Sequence, residues 1–227
     1  DTEVWEPVPH VVATPLHQAP SDAIVLFDGK DLNAWESQRN PGKPAEWTVA
    51  GGTFTVNKKA GNIITKQKFG SYQLHLEYYI PADIGGEGQG RGNSGLFVAA
   101  IGTGDEGYEL QILDSYENKT YVNGQLGSVY KQRIPLANPA RKPGEWQTYD
   151  VIWTAPAFKQ DGSLESPARV TVLINGVLVQ NNVELAGGTK YIGKPEYKAH
   201  GPAPIMLQAH GVPSKPNSFK NIWVRPL

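Results

Sequence analysis

Residues 108–114, with the sequence YELQILD, carry two carboxylic acids and an amide in one short segment. Successive side chains of a strand point to opposite faces, so Glu109 and Gln111 share one face while the apolar residues between them enter the core. A regular strand would turn Asp114 to the core side, whereas a β-bulge near Leu113 would return it to the face of Glu109. With that bulge, two carboxylates flank an amide, an arrangement suited to general acid–base chemistry.

The same segment also fits an ordinary amphipathic strand. In this alternative the polar face is simply solvated, and Asp114 begins the turn formed by residues 115–118. The spacing alone leaves both interpretations open. The decisive question is whether Asp114 shares the face of Glu109.

A second polar face is predicted within residues 204–211, PIMLQAHG. The alternation places Gln208 and His210 on one face, opposite Leu207. Histidine titrates near neutral pH and is a natural general base, although a histidine at the end of a strand is often only a surface residue. Gln208 beside it favours the functional interpretation.

Four further residues are candidates for binding a polar ligand. Lys66 and Asn93 carry side-chain donors, while Tyr130 and Trp146 border loops, where an aromatic ring can stack on a sugar. Each residue also has an ordinary structural role as its alternative: Lys66 as a solvated lysine, Asn93 as a turn residue, and the two aromatic residues as part of the core.

The elements that must position these residues are strands. Short alternating runs separated by glycine, asparagine, aspartate and proline recur from Ile24 onward, which is typical of an all-β sandwich or barrel. Asn175-Gly176 between two apolar runs predicts a type I′ hairpin. The predicted strands span residues 47–56, 72–80, 94–100, 108–113, 148–154, 168–174, 177–179, 204–208 and 220–224.

The connecting segments complete the predicted organisation. Residues 1–23 are rich in proline and predict an extended N-terminal arm, followed by one β-sandwich domain over residues 24–227. The glycine-rich stretch 82–92 and the proline-containing stretch 195–204 predict long loops, which often shape a ligand site at the rim of a sandwich.

The composition excludes several classes of function. The 227 residues include 21 basic and 22 acidic side chains, and a formal net charge of -1 gives no long-range attraction to nucleic acid or an anionic membrane. Cysteine is absent, which removes thiol nucleophiles and cysteine-bound metals. No apolar run approaches the ~20 residues of a membrane-spanning helix. The first residue is Asp1, which fits a mature chain whose targeting segment, if any, has been removed.

Several short motifs follow one another in a characteristic order. They are LFDGKDLNAW at 26–35, GNSGLF at 92–97, YELQILD at 108–114, GEW at 144–146, NG at 175–176, LQAHG at 207–211 and FKNIWV at 219–224. This ordered set resembles the 3-keto-disaccharide hydrolase family, over about residues 24–227. Patterns of serine hydrolases, kinases and zinc proteases do not occur.

The resemblance implies a concanavalin A-like jelly roll of two antiparallel sheets with a concave polar face. It also implies action on glycosides oxidised at C3 of the sugar, in the periplasm or outside the cell. Laminarinase-like glucanases of that fold carry Glu-x-Asp-x-x-Glu, in which the first glutamate is the nucleophile and the last the general acid. Here the spacing reads Glu109-x-Gln111-x-x-Asp114. Loss of the central charge and a shorter final acid disfavour the retaining mechanism, whose carboxyl groups stand ~5 to 5.5 Å apart.

A 3-keto substrate calls for different chemistry. The C3 carbonyl acidifies the C2 hydrogen, so a base can remove that proton and expel the C1 substituent before water adds. The site then needs a base, an enolate stabiliser and a leaving-group acid. We predict His210 or Glu109 as the base and Asp114 as the acid. The predicted donors to the carbonyl and hydroxyl groups are Gln111, Gln208, Asn93 and Lys66.

Three alternatives remain open from the sequence. A divalent ion held by Glu109, Asp114 and His210 is another electrophile, although no spacing establishes a metal site. The protein is alternatively an ordinary endoglucanase-like glycoside hydrolase, or a noncatalytic carbohydrate-binding module, because the same sandwich hosts both. A carbohydrate is the expected ligand in every case.

Overall fold

The computed structural model describes residues 2–227, and their regular secondary structure consists almost entirely of short strands. Turn-forming residues punctuate the chain so often that strands rarely exceed eight residues. The strands are β1 (Ile24–Phe27), β2 (Trp35–Ser37), β3 (Thr48–Ala50), β4 (Thr53–Thr55), β5 (Ile63–Thr65), β6 (Tyr72–Tyr79), β7 (Ser94–Ala100), β8 (Gly107–Ile112), β9 (Trp146–Thr154), β10 (Ala157–Phe158), β11 (Leu164–Ser166), β12 (Arg169–Ile174), β13 (Val177–Glu184), β14 (Met206–Leu207) and β15 (Ser218–Pro226).

Two antiparallel sheets face each other. The larger sheet has the order β13-β12-β9-β6-β15-β4-β3, with β1 paired to β15, and the smaller sheet has the order β2-β5-β14-β7-β8. β10 and β11 form a separate two-stranded ribbon. Neighbours in both sheets come from distant parts of the chain, as in a jelly roll, so the predicted fold class is confirmed.

The core lies between the sheets and follows from the period-two alternation. In β6 the side chains of Tyr72, Leu74, Leu76 and Tyr78 are fully buried, while the alternate residues form the outer polar face. The hydroxyl group of Tyr72 donates to the backbone oxygen of Val98 on β7 at 2.5 Å. A buried tyrosine therefore satisfies its polar end by tying one sheet to the other.

A second tie of this kind positions β8. The Tyr149 hydroxyl group on β9 donates to the backbone oxygen of Gln111 at 2.6 Å. Leu110 and Ile112 belong to the same core as Tyr149. Because these contacts hold the inner face of β8, its outer face is left to present Glu109 and Gln111.

Glycine and asparagine determine two of the hairpins. Asn175 and Gly176 have positive φ values of 52° and 77°, and they join β12 to β13 as the predicted type I′ hairpin. The prediction of one strand over residues 47–56 is wrong. Gly51 and Gly52, with φ values of 57° and 77°, turn the chain and divide the segment into the hairpin of β3 and β4.

The connecting segments lie outside the two sheets. Residues 82–92 contain one 3₁₀ turn at Gly88–Gly90 and otherwise form a loop, in agreement with the sequence prediction. Residues 2–23 contain neither strand nor helix, and most of their side chains are exposed. Within residues 2–227, no helix has the length and apolar character needed to cross a membrane.

Candidate active site

A cavity of about 610 Å³ opens on the outer face of the smaller sheet. β8 supplies Glu109 and Gln111 to its floor, and Gln208 follows directly after β14. The surrounding loops complete the walls. The residues from these loops are Gln89, Gly90, Asn93, Asp105, Tyr121, Tyr130, Thr189, Tyr191, His210 and Val212.

The structure brings together most of the residues that the sequence singled out. Six of them line the cavity: Glu109, His210, Gln111, Gln208, Asn93 and Tyr130. The period-two alternation explains the floor, because Leu110, Ile112 and Leu207 occupy the core on the opposite face. Asp114, Lys66 and Trp146 do not line the cavity.

Glu109 is a buried carboxyl group at the floor, with 6% of its surface exposed. Its backbone N–H donates to the hydroxyl group of Thr189 at 3.0 Å, which fixes the wall loop against β8. Burial raises the pKa of Glu109 to about 8, and the negative charge of Asp105 acts in the same direction. The group is therefore mainly protonated at neutral pH and is suited to donate a proton.

His210 lies half-buried on the opposite side of the cavity. Burial lowers its pKa below the ordinary 6.5; Asp105 opposes this shift, and the positive charge of Lys58 reinforces it. Lys58 also donates to the backbone oxygen of Val212 at 2.6 Å, which holds the segment after His210 in place. The imidazole is therefore neutral near pH 7 and is suited to accept a proton.

Gln89 connects the polar amides of the cavity. It accepts a hydrogen bond from the Gln111 side-chain nitrogen at 2.9 Å, and its backbone oxygen accepts one from the Asn93 side chain at 2.9 Å. Its own amide nitrogen donates to the backbone oxygen of Gly124 at 2.9 Å. Because the side-chain nitrogen of Gln111 donates to Gln89, the side-chain oxygen of Gln111 is held in a fixed position.

Three buried polar atoms at the cavity have no hydrogen-bond partner among the described residues. They are Gln111 Oε1, Gln208 Oε1 and His210 Nδ1. Leaving such atoms unpaired costs about 1–3 kcal/mol each, so their presence together favours a ligand that supplies hydrogen-bond donors. The hydroxyl groups of a sugar are donors of this kind.

Gly95 lies between the two sides of the floor, on β7, which separates β14 from β8. A Cβ atom at this position would lie 2.8 Å from Glu109 Oε1 and 3.3 Å from Gln208 Oε1. The first of these distances is too short for a carbon–oxygen contact, so a side chain at this position would displace Glu109. Glycine therefore lets the Glu109 carboxyl group and the Gln208 amide lie over the centre of the floor.

The structure corrects the prediction that Asp114 faces the same side as Glu109. β8 is regular up to its end at Ile112, and the register of the β7–β8 pair shifts instead between Phe97 and Ala99. Asp114 is 1% exposed and pairs with Arg91, with 2.6 Å between Oδ2 and Nε. It also accepts the backbone N–H of Tyr116 at 3.0 Å. Without the bulge, Asp114 turns to the core side, as the regular alternation requires.

Replacing Asp114 by asparagine should affect stability more than catalysis. The change leaves the partly buried Arg91 guanidinium without its anion, so the free energy of unfolding should fall by about 2–4 kcal/mol. Urea unfolding measures this loss, and Asp83→Asn, which breaks an exposed pair with Lys215, should cost under about 1 kcal/mol. A folded Asp114→Asn protein with activity reduced by a hundredfold or more would restore a catalytic role for this residue.

Lys66 and Trp146 occupy surfaces away from the cavity. Lys66 is exposed and directly follows β5. Trp146 begins β9 in the other sheet and packs against Tyr79, with ring centroids 5.4 Å apart. The ammonium group of Lys220 lies 4.2 Å from its ring centroid. These contacts place Trp146 on the outer face of the larger sheet, outside the cavity that Glu109 lines, so it is not positioned to stack on a sugar bound there.

Several residues of the cavity were missed by the sequence interpretation. Asp105, Tyr121, Thr189 and Tyr191 come from loops that meet only in the folded chain. No spacing or motif links them to Glu109, and Gln89 lies in a segment recognised only as a loop. Within residues 2–227, no three His, Cys, Asp or Glu side chains are grouped so as to hold a metal ion.

The sequence matches the 3-keto-α-glucoside-1,2-lyase-like domain over residues 22–225. The chain belongs to this family. The resemblance inferred from the ordered motifs is confirmed, and it covers nearly the whole β-sandwich. No curated protein matches the sequence significantly.

Solved structures agree with this membership. A candidate glycosyl hydrolase from Parabacteroides distasonis is 56% identical, with a TM-score of 0.92 over 100% of this chain and 95% of that one. Another from the same organism is 20% identical, with a TM-score of 0.66 over 90% of this chain and 94% of that one. The alginate lyase Aly36B shares the fold at 12% identity, with a TM-score of 0.51 over 91% and 97% of the two chains. The protein is therefore a glycosyl hydrolase-like, carbohydrate-active family member.

Proposed function

We propose that this protein cleaves 3-keto-glycosides by elimination across C1 and C2, followed by addition of water. The observation that carries the proposal is that one cavity holds two groups, Glu109 and His210, whose pKa values are shifted in opposite directions. Burial keeps Glu109 protonated up to about pH 8, and burial keeps His210 neutral near pH 7. Two titratable groups whose pKa values are pushed in these directions supply an acid and a base at the same pH.

The first half of the reaction uses both groups. His210 removes the proton from C2, whose acidity the C3 carbonyl has raised. The electron pair of the C2–H bond forms the C1=C2 double bond, and the C1–O bond breaks. Glu109 gives its proton to the departing oxygen. The carbonyl oxygen at C3 carries the developing charge, and the side-chain amide of Gln208, which lines the cavity, is suited to bind it.

Addition of water restores both groups. Glu109, now a carboxylate, takes a proton from water as its oxygen bonds to C1. His210, now protonated, returns a proton to C2. The product is the free 3-keto-sugar, and each residue regains its starting state without an added oxidant or reductant.

The floor of the cavity fits a sugar ring between these residues. β7 separates β14 from β8, and neighbouring strands lie ~4.8 Å apart, so the two sides stand on the order of 10 Å from each other. Because Gly95 has no side chain, Glu109 Oε1 and Gln208 Oε1 extend over the middle of this span. A sugar ring placed above these two oxygens would present C2 toward His210 and its C1 substituent toward Glu109.

A matched pair of substrates tests the proposal. The protein is incubated with a 3-keto-disaccharide and with the unoxidised parent disaccharide, and released sugars are measured by chromatography. Cleavage of only the oxidised sugar, with deuterium from D₂O appearing at C2, supports the elimination. Cleavage of the parent at a comparable rate, or of neither compound, overturns it. Binding without turnover would instead favour a noncatalytic carbohydrate-binding module.

One observation favours a second function, that of an ordinary glycoside hydrolase. Asp105 lines the cavity together with Glu109 and therefore supplies a second carboxyl group. Such an enzyme would use protonated Glu109 as the acid and Asp105 as the base or nucleophile. It would cleave the unoxidised disaccharide and lose that activity in Asp105→Asn. The elimination reaction predicts a much smaller effect, because Asp105 only influences the pKa values of its two neighbours.

The pH dependence of kcat/KM should be bell-shaped. Activity should fall above about pH 8 because Glu109 loses the proton that it must donate. It should also fall in acid, below the ordinary histidine pKa of 6.5, because His210 becomes protonated and no longer accepts a proton. Initial rates between pH 4 and pH 10 measure both limbs. In Glu109→Gln the alkaline limb should disappear from the residual activity, and a retained limb near pH 8 contradicts its assignment to Glu109.

A further inference from the structure

Three tyrosines form one side of the cavity mouth. Tyr121, Tyr130 and Tyr191 all line the cavity, and their surfaces are 39%, 9% and 69% exposed, respectively. The hydroxyl groups of Tyr121 and Tyr130 share a hydrogen bond at 2.6 Å, with ring centroids 6.3 Å apart. We call these three residues the tyrosine rim. Aromatic rings grouped along the wall of a cavity are typical of a ligand-binding surface.

Lys131 holds the tyrosine rim together. Its ammonium group lies 4.3 Å from the ring centroid of Tyr191, 5.3 Å from that of Tyr121 and 5.9 Å from that of Tyr130. It also donates to the backbone oxygen of Tyr191 at 3.1 Å. Lys131 does not itself line the cavity. The cation therefore orders the three rings while leaving them accessible from the cavity side.

The tyrosine rim lies next to the proposed acid. The backbone N–H of Tyr130 donates to the backbone oxygen of Glu109 at 3.1 Å, and Val129 forms an antiparallel β-bridge with Leu110 of β8. β8 is the edge strand of the smaller sheet, with β7 and then β14 on its other side. His210 follows β14. The order across the cavity is therefore base, floor at β7, acid and tyrosine rim.

From this order we infer that the tyrosine rim is the subsite for the leaving group, and that it selects leaving groups with a flat ring. The inference rests on the proposed function, in which Glu109 protonates the departing oxygen and so faces the leaving group. A sugar ring and an aryl ring share the chemistry required, a flat face that packs on an aromatic side chain. A methyl group lacks such a face.

Three 3-keto-glucosides that differ only in their leaving group test the inference. These compounds carry methanol, phenol or glucose at C1 in the same anomeric configuration. Tyr191→Ala and Tyr121→Ala should each lower kcat/KM for the phenyl and glucosyl compounds by roughly three- to tenfold more than for the methyl compound. The loss should lie mainly in KM, since stacking acts on bound substrate and transition state alike. Tyr191→Phe and Tyr121→Phe keep the ring and should retain the selectivity.

The phenyl and glucosyl compounds are separate arms of this experiment. A larger loss for the phenyl compound identifies an aryl subsite, and a larger loss for the glucosyl compound identifies a sugar subsite; either supports the inference. An equal loss for all three compounds, or no loss for any, overturns it.

Binding measurements separate this inference from the proposed function. Affinities of the three compounds for Glu109→Gln are measured by calorimetry, with and without Tyr191→Ala. Tighter binding of the ring-bearing compounds, lost in the double variant, supports the subsite even when the wild-type protein cleaves none of them. Equal affinities overturn the subsite even when cleavage occurs.

Discussion

Glu109→Gln should lower kcat for cleavage of a 3-keto-disaccharide by about 10²- to 10⁴-fold, the usual contribution of a general acid. The sugar leaving group departs as an alkoxide unless it is protonated, and glutamine has no proton of suitable acidity to give. The substitution keeps the shape of a side chain that is 6% exposed, so the fold should be preserved. Rates are measured at pH 7, where burial keeps wild-type Glu109 mainly protonated.

The leaving group distinguishes an acid from a base at this position. A 3-keto-glucoside of a nitrophenol needs little protonation to depart, so Glu109→Gln should retain at least a tenth of wild-type activity on it. If Glu109 were the base instead, the variant would lose activity on both substrates equally, because cleavage of the C2–H bond precedes departure of the leaving group in each case. Glu106→Gln is the matched control, since Glu106 lies exposed in the neighbouring loop and pairs with Lys198. Full activity of Glu109→Gln on the disaccharide contradicts an acid role.

The floor of the cavity was predictable because it depends on local geometry. Alternation along a strand fixes which residues share a face, and it placed Glu109 with Gln111 and Gln208 with His210. The same alternation placed Asp114 on the core side, whereas its partner was not predictable. Asp114 lies two residues beyond the end of β8, and its carboxyl group pairs with Arg91 from another loop. The bulge that would have turned it outward was an added assumption, and the structure lacks it.

The walls of the cavity depend on tertiary structure and were mostly missed. Tyr130 and Trp146 both border loops in the sequence, yet the first lines the cavity and the second lies on the other sheet. Periodicity does not say which sheet a strand joins. Gln89 and Tyr191 are further cases, since each reaches the cavity only because its loop folds over the smaller sheet.

His210→Gln should abolish the first chemical event, the removal of the C2 proton. The expected fall in kcat is about 10²- to 10⁴-fold, because glutamine does not accept a proton near neutral pH. A substrate with deuterium at C2 should react more slowly than the protonated compound in the wild-type protein, because this bond breaks in the first step. His200→Gln is the matched control, since His200 contacts Tyr108 at 3.1 Å and does not line the cavity.

Exchange of the C2 hydrogen isolates this step from the departure of the leaving group. A 3-keto-1,5-anhydroglucitol carries the acidic C2 hydrogen but no glycosidic substituent. In D₂O the wild-type protein should exchange that hydrogen for deuterium, as followed by nuclear magnetic resonance. Glu109→Gln should retain this exchange, because no leaving group needs a proton, whereas His210→Gln should lose it. Exchange at the wild-type rate in His210→Gln would transfer the role of base to another residue. Asp105 would then be the first candidate, since it lines the same cavity and influences the pKa of His210.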